Sequence, residues 1–273
     1  MTVVQEAGVQ PRQLIVSLYG LYARDEAGWL SVAALVRLMA GLGVDEPAVR
    51  SSVSRLKRRG LLAASRRDGT AGYALTDAAR QILADGDARI FGRRRATRAD
   101  GWVLVVFSVP ESEREKRHTL RTQLSRLGFG TVAPGVWVAP GHLADELADM
   151  LRRLGLDGYV ELFRGEHLPL GARAETVRSW WDLDALRRLY AEFLDRTEPV
   201  EARWSGGHGD AEVAFADYVR LVTDWRRLPY ADPGLPLDLL PDDWDGLRAA
   251  ELFTTLAERL APAAESHART LIT

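Results

Sequence analysis

Apolar residues recur at helical spacing along the first quarter of the chain. They predict three helices, over residues 14–23, 32–40 and 46–59. Ser31 and Asp45 are suited to cap the second and third of these helices. Two short extended runs then flank an Asp-Gly pair at residues 68–69, which is typical of a β-hairpin, and Thr76 is suited to cap a fourth helix over residues 77–98. This order of elements predicts a winged helix-turn-helix over residues 12–76.

The pattern changes after residue 101. Residues 102–109 form an apolar run typical of a buried strand. The elements predicted next are a helix at 111–127, strands at 129–131 and 136–139, a helix at 143–154 and a strand at 159–163. The order βαββαβ predicts a ferredoxin-like domain.

The last third is rich in Trp and predominantly helical. Helices are predicted over residues 184–194, 211–228 and 247–259. We therefore expect an α+β multidomain protein with a winged-helix domain (1–98), a ferredoxin-like domain (99–175) and a C-terminal, mainly helical domain (176–273).

Composition narrows the functional classes. The chain has no Cys, which excludes disulfides and Cys-ligated metal sites. Its five His residues form no HExxH motif, and no Gly-rich phosphate loop occurs, so we expect no metal, no cofactor and no enzyme activity. Neither a signal peptide nor a membrane span is evident, and we expect a cytoplasmic location.

Charge is distributed unevenly along the chain. The net charge is −2, but residues 12–98 hold 16 basic and 8 acidic side chains. A basic N-terminal part on an acidic body is typical of a nucleic-acid-binding domain fused to a domain with another task. Ordinary variation along a sequence is an equally good explanation of the charge by itself.

The third predicted helix separates apolar from basic residues. Val49, Val53 and Leu56 share one face. On the outward face, Arg50, Ser51, Ser54 and Arg55 are the candidates for reading base edges in the major groove. The candidates for phosphate contacts are Lys57, Arg58 and Arg59 near the helix end and Arg66 and Arg67 in the hairpin. Two alternatives remain: a solvated basic helix without DNA, and a winged helix that binds protein.

Several segments resemble one family of regulators. AVRSSVSRLKRRGLL, YALTDAAR, WVLVVFSVPESEREKRHTLRTQLSRLGFG and DPGLPLDLLPDDWDGLRAAELF are similar to the PaaX family over nearly the whole chain. The resemblance implies a three-domain, homodimeric repressor bound to a double-stranded DNA operator. It also implies release by a small effector, in one branch of the family an aryl-acetyl-CoA thioester.

The central segment is also similar to the Cas2 nuclease fold, in which an Asp after the first strand serves metal-dependent cleavage. Ser108 stands at the matching position, and a neutral hydroxyl is a poor replacement for a carboxylate that holds Mg²⁺. We therefore expect a dimerisation module. A metal-dependent nuclease using Glu111 and Glu113 is the alternative.

Aromatic residues concentrate in the second half of the chain, where an effector with an aryl group and an anionic tail would find both ring contacts and cationic donors. The predicted effector site comprises Arg164, His167, Trp180 and Trp181. The alternative is a helical core in which Trp side chains supply buried area.

Overall fold

The computed structural model describes residues 10–24, 26–92, 94–168, 173–207 and 209–273. The chain is α+β, with one antiparallel sheet of three strands, another of four, and a helical C-terminal region. Its two compact units are not continuous in sequence. Unit 1 comprises residues 1–91, 193–226 and 248–273, and unit 2 comprises residues 92–192 and 227–247. Within the described ranges, no helix is both long and apolar enough to cross a membrane.

Unit 1 begins with three helices, and the predicted caps are present. The helices are α1 (Pro11–Tyr22), α2 (Val32–Ala40) and α3 (Glu46–Arg58). The Ser31 hydroxyl accepts from the Ala34 amide at 3.0 Å, and the Asp45 carboxylate accepts from the Ala48 amide at 2.8 Å. Each cap satisfies an amide that has no partner inside its helix.

The predicted hairpin is confirmed, with its turn at the Asp-Gly pair. Strands β2 (Leu62–Arg67) and β3 (Thr70–Leu75) are joined by Asp68 and Gly69 alone, with φ of 47° and 78°. Positive φ at both central residues matches the right-handed twist of the strands. A third strand, β1 (Trp29–Ser31), pairs with β3 and gives the order β1-β3-β2. Three residues are too few for an alternating pattern, so this strand was missed.

Helix α4 (Asp77–Ile90) is shorter than predicted. The Thr76 hydroxyl caps it by accepting from the Ala79 amide at 3.1 Å. The expected extension to residue 98 is wrong, because residues 94–97 lie in irregular structure and only Arg98–Asp100 form a 3₁₀ turn. The Ala96 amide donates to the Gly234 carbonyl at 2.8 Å, so this backbone is committed to another partner.

Two C-terminal helices are longer than predicted. The helices of this region are α7 (Arg173–Trp180), α8 (Leu183–Trp204), α9 (Ala211–Trp225), α10 (Leu228–Ala231) and α11 (Gly246–Ile272). Helices α8 and α11 continue through Pro199 and Pro262. Buried residues flank both prolines, among them Thr197, Trp204, Leu260 and Ala264, so packing outweighs the one hydrogen bond that each proline removes.

Helices α9 and α11, which are distant in sequence from the N-terminal helices, contribute to the core of unit 1. Helix α1 packs against α9, and the Ser17 and Thr223 hydroxyls lie 2.7 Å apart at the buried contact. Trp225 stacks on Phe253 with ring centres 4.6 Å apart. Helices α9 and α11 therefore contribute to the core of unit 1 together with the N-terminal helices.

Unit 2 contains the predicted order of strands and helices. These are β4 (Trp102–Phe107), α5 (Arg114–Arg126), β5 (Gly130–Ala133), β6 (Val136–Pro140), α6 (Ala144–Leu154) and β7 (Val160–Gly165). The sheet order is β5-β6-β4-β7, and every pair is antiparallel. Val103 and Val105 point to the face covered by α5 and α6, where Leu120, Leu124 and Leu147 are fully buried.

A buried carboxylate ties the connector before β4 to the segment after α10. The Asp232 side chain is 1% exposed and forms an ion pair with Arg95 at 3.2 Å. It also accepts from the Tyr190 hydroxyl at 2.6 Å and from the Gly234 amide at 2.7 Å. These donors offset the cost of removing the charge from water.

Replacement of Asp232 by Ala is therefore expected to lower the free energy of unfolding by about 3 kcal/mol, because it leaves Arg95 and the Tyr190 hydroxyl without this acceptor. Asp238→Ala is the matched control, since its ion pair with Arg98 is exposed and is expected to contribute less than about 1 kcal/mol. Urea unfolding checks both. Equal losses in the two variants would contradict a structural role for Asp232.

Candidate nucleic-acid interface

Helix α3 has one buried face and one exposed face, as its sequence predicts. Val49, Val53 and Leu56 are 2%, 3% and 3% exposed, and the helix packs against α1 and α2. The predicted outward residues are all exposed: Arg50, Ser51, Ser54, Arg55, Lys57 and Arg58, together with Arg59 just after the helix. A polar, basic surface of about two and a half turns is thus presented to solvent.

Arg50 is not free on this surface. Its Nε donates to the Glu46 carboxylate at 2.8 Å, and its terminal nitrogen forms an ion pair with the same carboxylate. This hydrogen bond raises the pKa of Arg50. Glu46 lies one turn before Arg50, and the sequence analysis considered only the basic and apolar residues of this helix, so the pairing was missed. Arg50 would have to exchange this partner to contact DNA.

The last two turns of α3 hold its unpaired cations. Within the described part of the chain, no carboxylate forms an ion pair with Arg55, Lys57, Arg58 or Arg59. Lys57 lies 6.0 Å from the centre of the Tyr73 ring. Cations at a helix C-terminus are stabilised by the helix dipole, so this charge is compatible with a stable helix.

The two hairpin arginines differ. Arg67 donates to the carbonyls of Glu26 and Ala27, at 2.9 and 3.3 Å, and lies 5.2 Å above the Trp29 ring. It therefore fixes the turn that leads into β1. Arg66 is exposed, with a 3.4 Å contact to the Gly69 carbonyl inside its own hairpin.

Ion pairs neutralise several of the basic side chains in residues 12–98. Arg94 pairs with Asp100, Arg95 with Asp232 and Arg98 with Asp238. These cations hold the connector in place, and the unpaired positive charge is concentrated on α3 and its hairpin.

Three of the four predicted effector residues lie together in unit 2. Trp180 contacts His167 and Trp181, with ring centres 5.0 and 6.0 Å apart. Trp102, which the sequence analysis did not single out, completes this aromatic cluster at 5.8 Å from Trp180. Arg164 is not part of it. It pairs with Asp145 at 3.1 Å and lies opposite Val103, on the helix-covered face of the sheet, whereas Trp102 points to the other face.

Two cavities adjoin the aromatic cluster, and Trp181 lines both. One, of about 360 Å³, is lined by Trp180 and the apolar side chains of Phe129, Leu186 and Leu189. The other, of about 390 Å³, is lined by Arg178 and Arg187 together with Asp182 and Asp184. Arg187 pairs with Asp243, whereas Arg178 is exposed. A largely apolar space and one with side chains of both charges thus meet at Trp181 and Asp182.

The surroundings of Ser108 do not suit a divalent cation. The adjacent cavity, of about 390 Å³, is lined by Arg117 and Arg121 and by no carboxylate. Glu111 pairs with Arg117 at 2.9 Å. Glu113 pairs with Lys116 at 3.3 Å, and hydrogen bonding by Tyr159 and Lys116 lowers the pKa of this carboxyl. Nowhere in the described ranges do three or more His, Asp or Glu side chains cluster as metal ligands would.

Comparison with known protein families accounts for most of the chain. Residues 10–79 match the family described as PaaX-like protein, residues 95–177 the PaaX protein central Cas2-like domain, and residues 181–270 the PaaX-like protein C-terminal domain. The chain belongs to the PaaX family.

A relative and a solved structure extend this result. This PaaX-family chain is 28% identical over 270 residues to the transcriptional repressor PaaX of Escherichia coli (strain K12), covering 96% of this chain and 84% of that protein. It also shares its fold with the uncharacterised protein Rv0674 from Mycobacterium tuberculosis. That match has a TM-score of 0.57 at 21% identity, covering 95% of this chain and 99% of the other.

Since the exposed surface of α3 depends on an ordered first turn, Asp45→Ala is expected to cost about 1 kcal/mol of stability by leaving the Ala48 amide uncapped. The control Glu46→Ala removes the exposed pair with Arg50 and a negative charge in the first turn, and it should cost less than the lost cap, about 0.5 kcal/mol. Urea denaturation followed by circular dichroism measures both. A larger loss in the control would show that the ion pair, and not the cap, secures the start of α3.

Proposed function

We propose that this PaaX-family protein is a sequence-specific DNA-binding transcriptional repressor whose residues 12–76 act as a winged helix-turn-helix. One observation carries the proposal: α3 buries its apolar face while four unpaired cations and two serines stand exposed on the other. The similarity to a transcriptional repressor over 96% of the chain supports the same function. A helix of this kind fits the major groove.

In this proposal, the two ends of the outward face have different tasks. Ser51, Ser54 and Arg55 read base edges, and an Arg can donate two hydrogen bonds to guanine. Arg50 joins them when DNA displaces Glu46. Lys57, Arg58 and Arg59 contact phosphates, as does Arg66 in the hairpin, while Arg67 supports the hairpin against Trp29.

We assign unit 2, with its sheet order β5-β6-β4-β7, to a ferredoxin-like homodimerisation domain. Its sheet leaves apolar side chains exposed on the face away from the helices, with Val106 37% and Phe163 54% accessible. Exposed apolar patches of this kind mark association surfaces. A twofold dimer would place two winged helices on the half-sites of a palindromic operator. The cations around Ser108 favour this assignment over a metal-dependent nuclease.

The effector is assigned to the aromatic cluster of unit 2. An aryl group fits the apolar cavity lined by Trp180 and Trp181, and His167 closes the cluster beside Trp180. Arg178 is exposed, lines the adjoining cavity and takes the part first given to Arg164, that of binding an anionic tail. To act as an inducer, the effector must bind the DNA-free state more tightly.

Arg55→Ala is expected to weaken binding to the operator by about 1–3 kcal/mol and to relax specificity, because a base contact is lost. Arg66→Ala should weaken specific and non-specific binding alike and reduce the salt dependence by about one phosphate contact. Fluorescence anisotropy over a salt series, with DNA from upstream of the protein's own gene and a scrambled duplex, measures both effects. Arg126→Ala, an exposed arginine on α5, is the control, and an equal loss there would refute the assigned interface.

Trp181→Ala is expected to abolish release of this DNA by an aryl-acetyl-CoA, since Trp181 lines both cavities of the proposed effector site. Arg178→Ala should raise the aryl-acetyl-CoA concentration needed to release the DNA about tenfold. The reason is the loss of a charge-assisted hydrogen bond, which contributes roughly 1.5 kcal/mol or more. Arg164→Ala should leave release unchanged. The reverse ranking of Arg164 and Arg178 would place the anionic tail on the helix-covered side of the sheet.

A further inference from the structure

The turn between α2 and α3 is held by a helix from the C-terminal part of the chain. This turn, residues 41–45, sets the angle at which α3 leaves α2. Arg220 of α9 donates to the Leu42 carbonyl at 3.1 Å. In the described part of the chain, no backbone amide donates to that carbonyl, so Arg220 is the donor that satisfies it.

The start of the same turn packs closely on α9. A Cβ added at Gly41 would lie 3.2 Å from the Phe215 ring, closer than ordinary van der Waals contact. Phe215 is fully buried, and its ring centre lies 5.9 Å from that of Tyr22 in α1 and 5.5 Å from that of His267 in α11. The turn therefore lies against a ring that α1 and α11 hold in place.

Helix α2 is also held by α11. The Nε of Arg37 donates to the Leu271 carbonyl at 2.8 Å. That carbonyl belongs to the last turn of α11, where carbonyls have no partner inside the helix. The position of α2 and of the turn after it thus depends on the C-terminal helices of unit 1 as well as on the winged helix.

We infer that α9 aims α3 at DNA, with Arg220 as a positioning residue, so that the DNA-reading element includes α9 and α11 as well as residues 12–76. The inference rests on the proposed function, because it concerns how α3 is held for base reading. Base contacts need donors within hydrogen-bond distance of base edges, whereas attraction to phosphates acts over a longer range. A turn released from Arg220 would therefore lose sequence preference before it loses affinity for DNA in general.

Arg220→Ala in the full chain tests this inference. Fluorescence anisotropy compares DNA from upstream of the protein's own gene with a scrambled duplex. We expect binding to the operator to weaken about three- to tenfold more than binding to the scrambled duplex, the effect of one lost hydrogen bond. Arg220→Lys keeps a charged donor and should lose less than about twofold in this preference.

Arg248→Ala is the matched control for charge. It removes one positive charge from the same unit and breaks an exposed ion pair with Glu198, so it should affect the two duplexes equally. Circular dichroism checks that each variant is folded.

Gly41→Ala tests the contact of the turn with Phe215. Since Gly41 has a φ of −61°, which suits alanine, the close approach to the ring is the main change. We expect the same selective loss of operator binding, about threefold or more. Gly20→Ala on α1 is the matched control, because its added Cβ would lie 3.5 Å from Leu83, an ordinary van der Waals distance.

Failure of this inference is distinct from failure of the proposed function. If the unaltered protein binds operator and scrambled DNA equally, the proposed function fails and the inference fails with it. If the unaltered protein prefers the operator, three results overturn the inference alone: Arg220→Ala matches Arg248→Ala, Arg220→Ala weakens binding to both duplexes alike, or Gly41→Ala behaves as Gly20→Ala does.

Discussion

The packing of α3 against α1 and α2 through Val49, Val53 and Leu56 determines which side chains of that helix face solvent. These three residues occupy successive turns of one face, and burying them saves roughly 1.5–3 kcal/mol each relative to exposure. Rotating the helix by a third of a turn would expose them and bury arginines without partners, at a larger cost. The orientation of the basic surface is therefore a consequence of the core beneath it.

The surrounding polar contacts make that surface smaller and better defined. Glu46 holds Arg50, the carbonyls of Glu26 and Ala27 hold Arg67, and Asp100, Asp232 and Asp238 hold the cations of the connector. Unpaired positive charge is left at the end of α3 and at the tip of the hairpin. Binding of these unpaired cations to phosphate breaks no existing ion pair. Arg50, in contrast, must first break its ion pair with Glu46.

Local signals in the sequence predicted much of this arrangement. Four local features are present as predicted: the caps Ser31, Asp45 and Thr76 and the Asp68-Gly69 turn. Each depends only on residues a few positions away in the sequence. What the sequence could not reveal depends on distant partners. Residues 94–97 follow an irregular path because Arg95 pairs with Asp232 and the Ala96 amide bonds to Gly234. Helices α8 and α11 continue through prolines because the residues on either side are buried. Strand β1 forms only because it pairs with β3. The separation of Arg164 from the aromatic cluster likewise follows from strand register, which no local pattern shows.

The proposal that α3 lies in the major groove can be tested directly because the chain has no Cys. A single Ser54→Cys variant would carry the only thiol of the protein, on the exposed face of α3. With operator DNA bearing a thiol tether on a major-groove base edge, the account predicts a disulfide cross-link at one or two base positions within each half-site. Ser125→Cys, at another exposed serine on α5, should form none. Cross-linking through Ser125→Cys but not through Ser54→Cys would contradict the account.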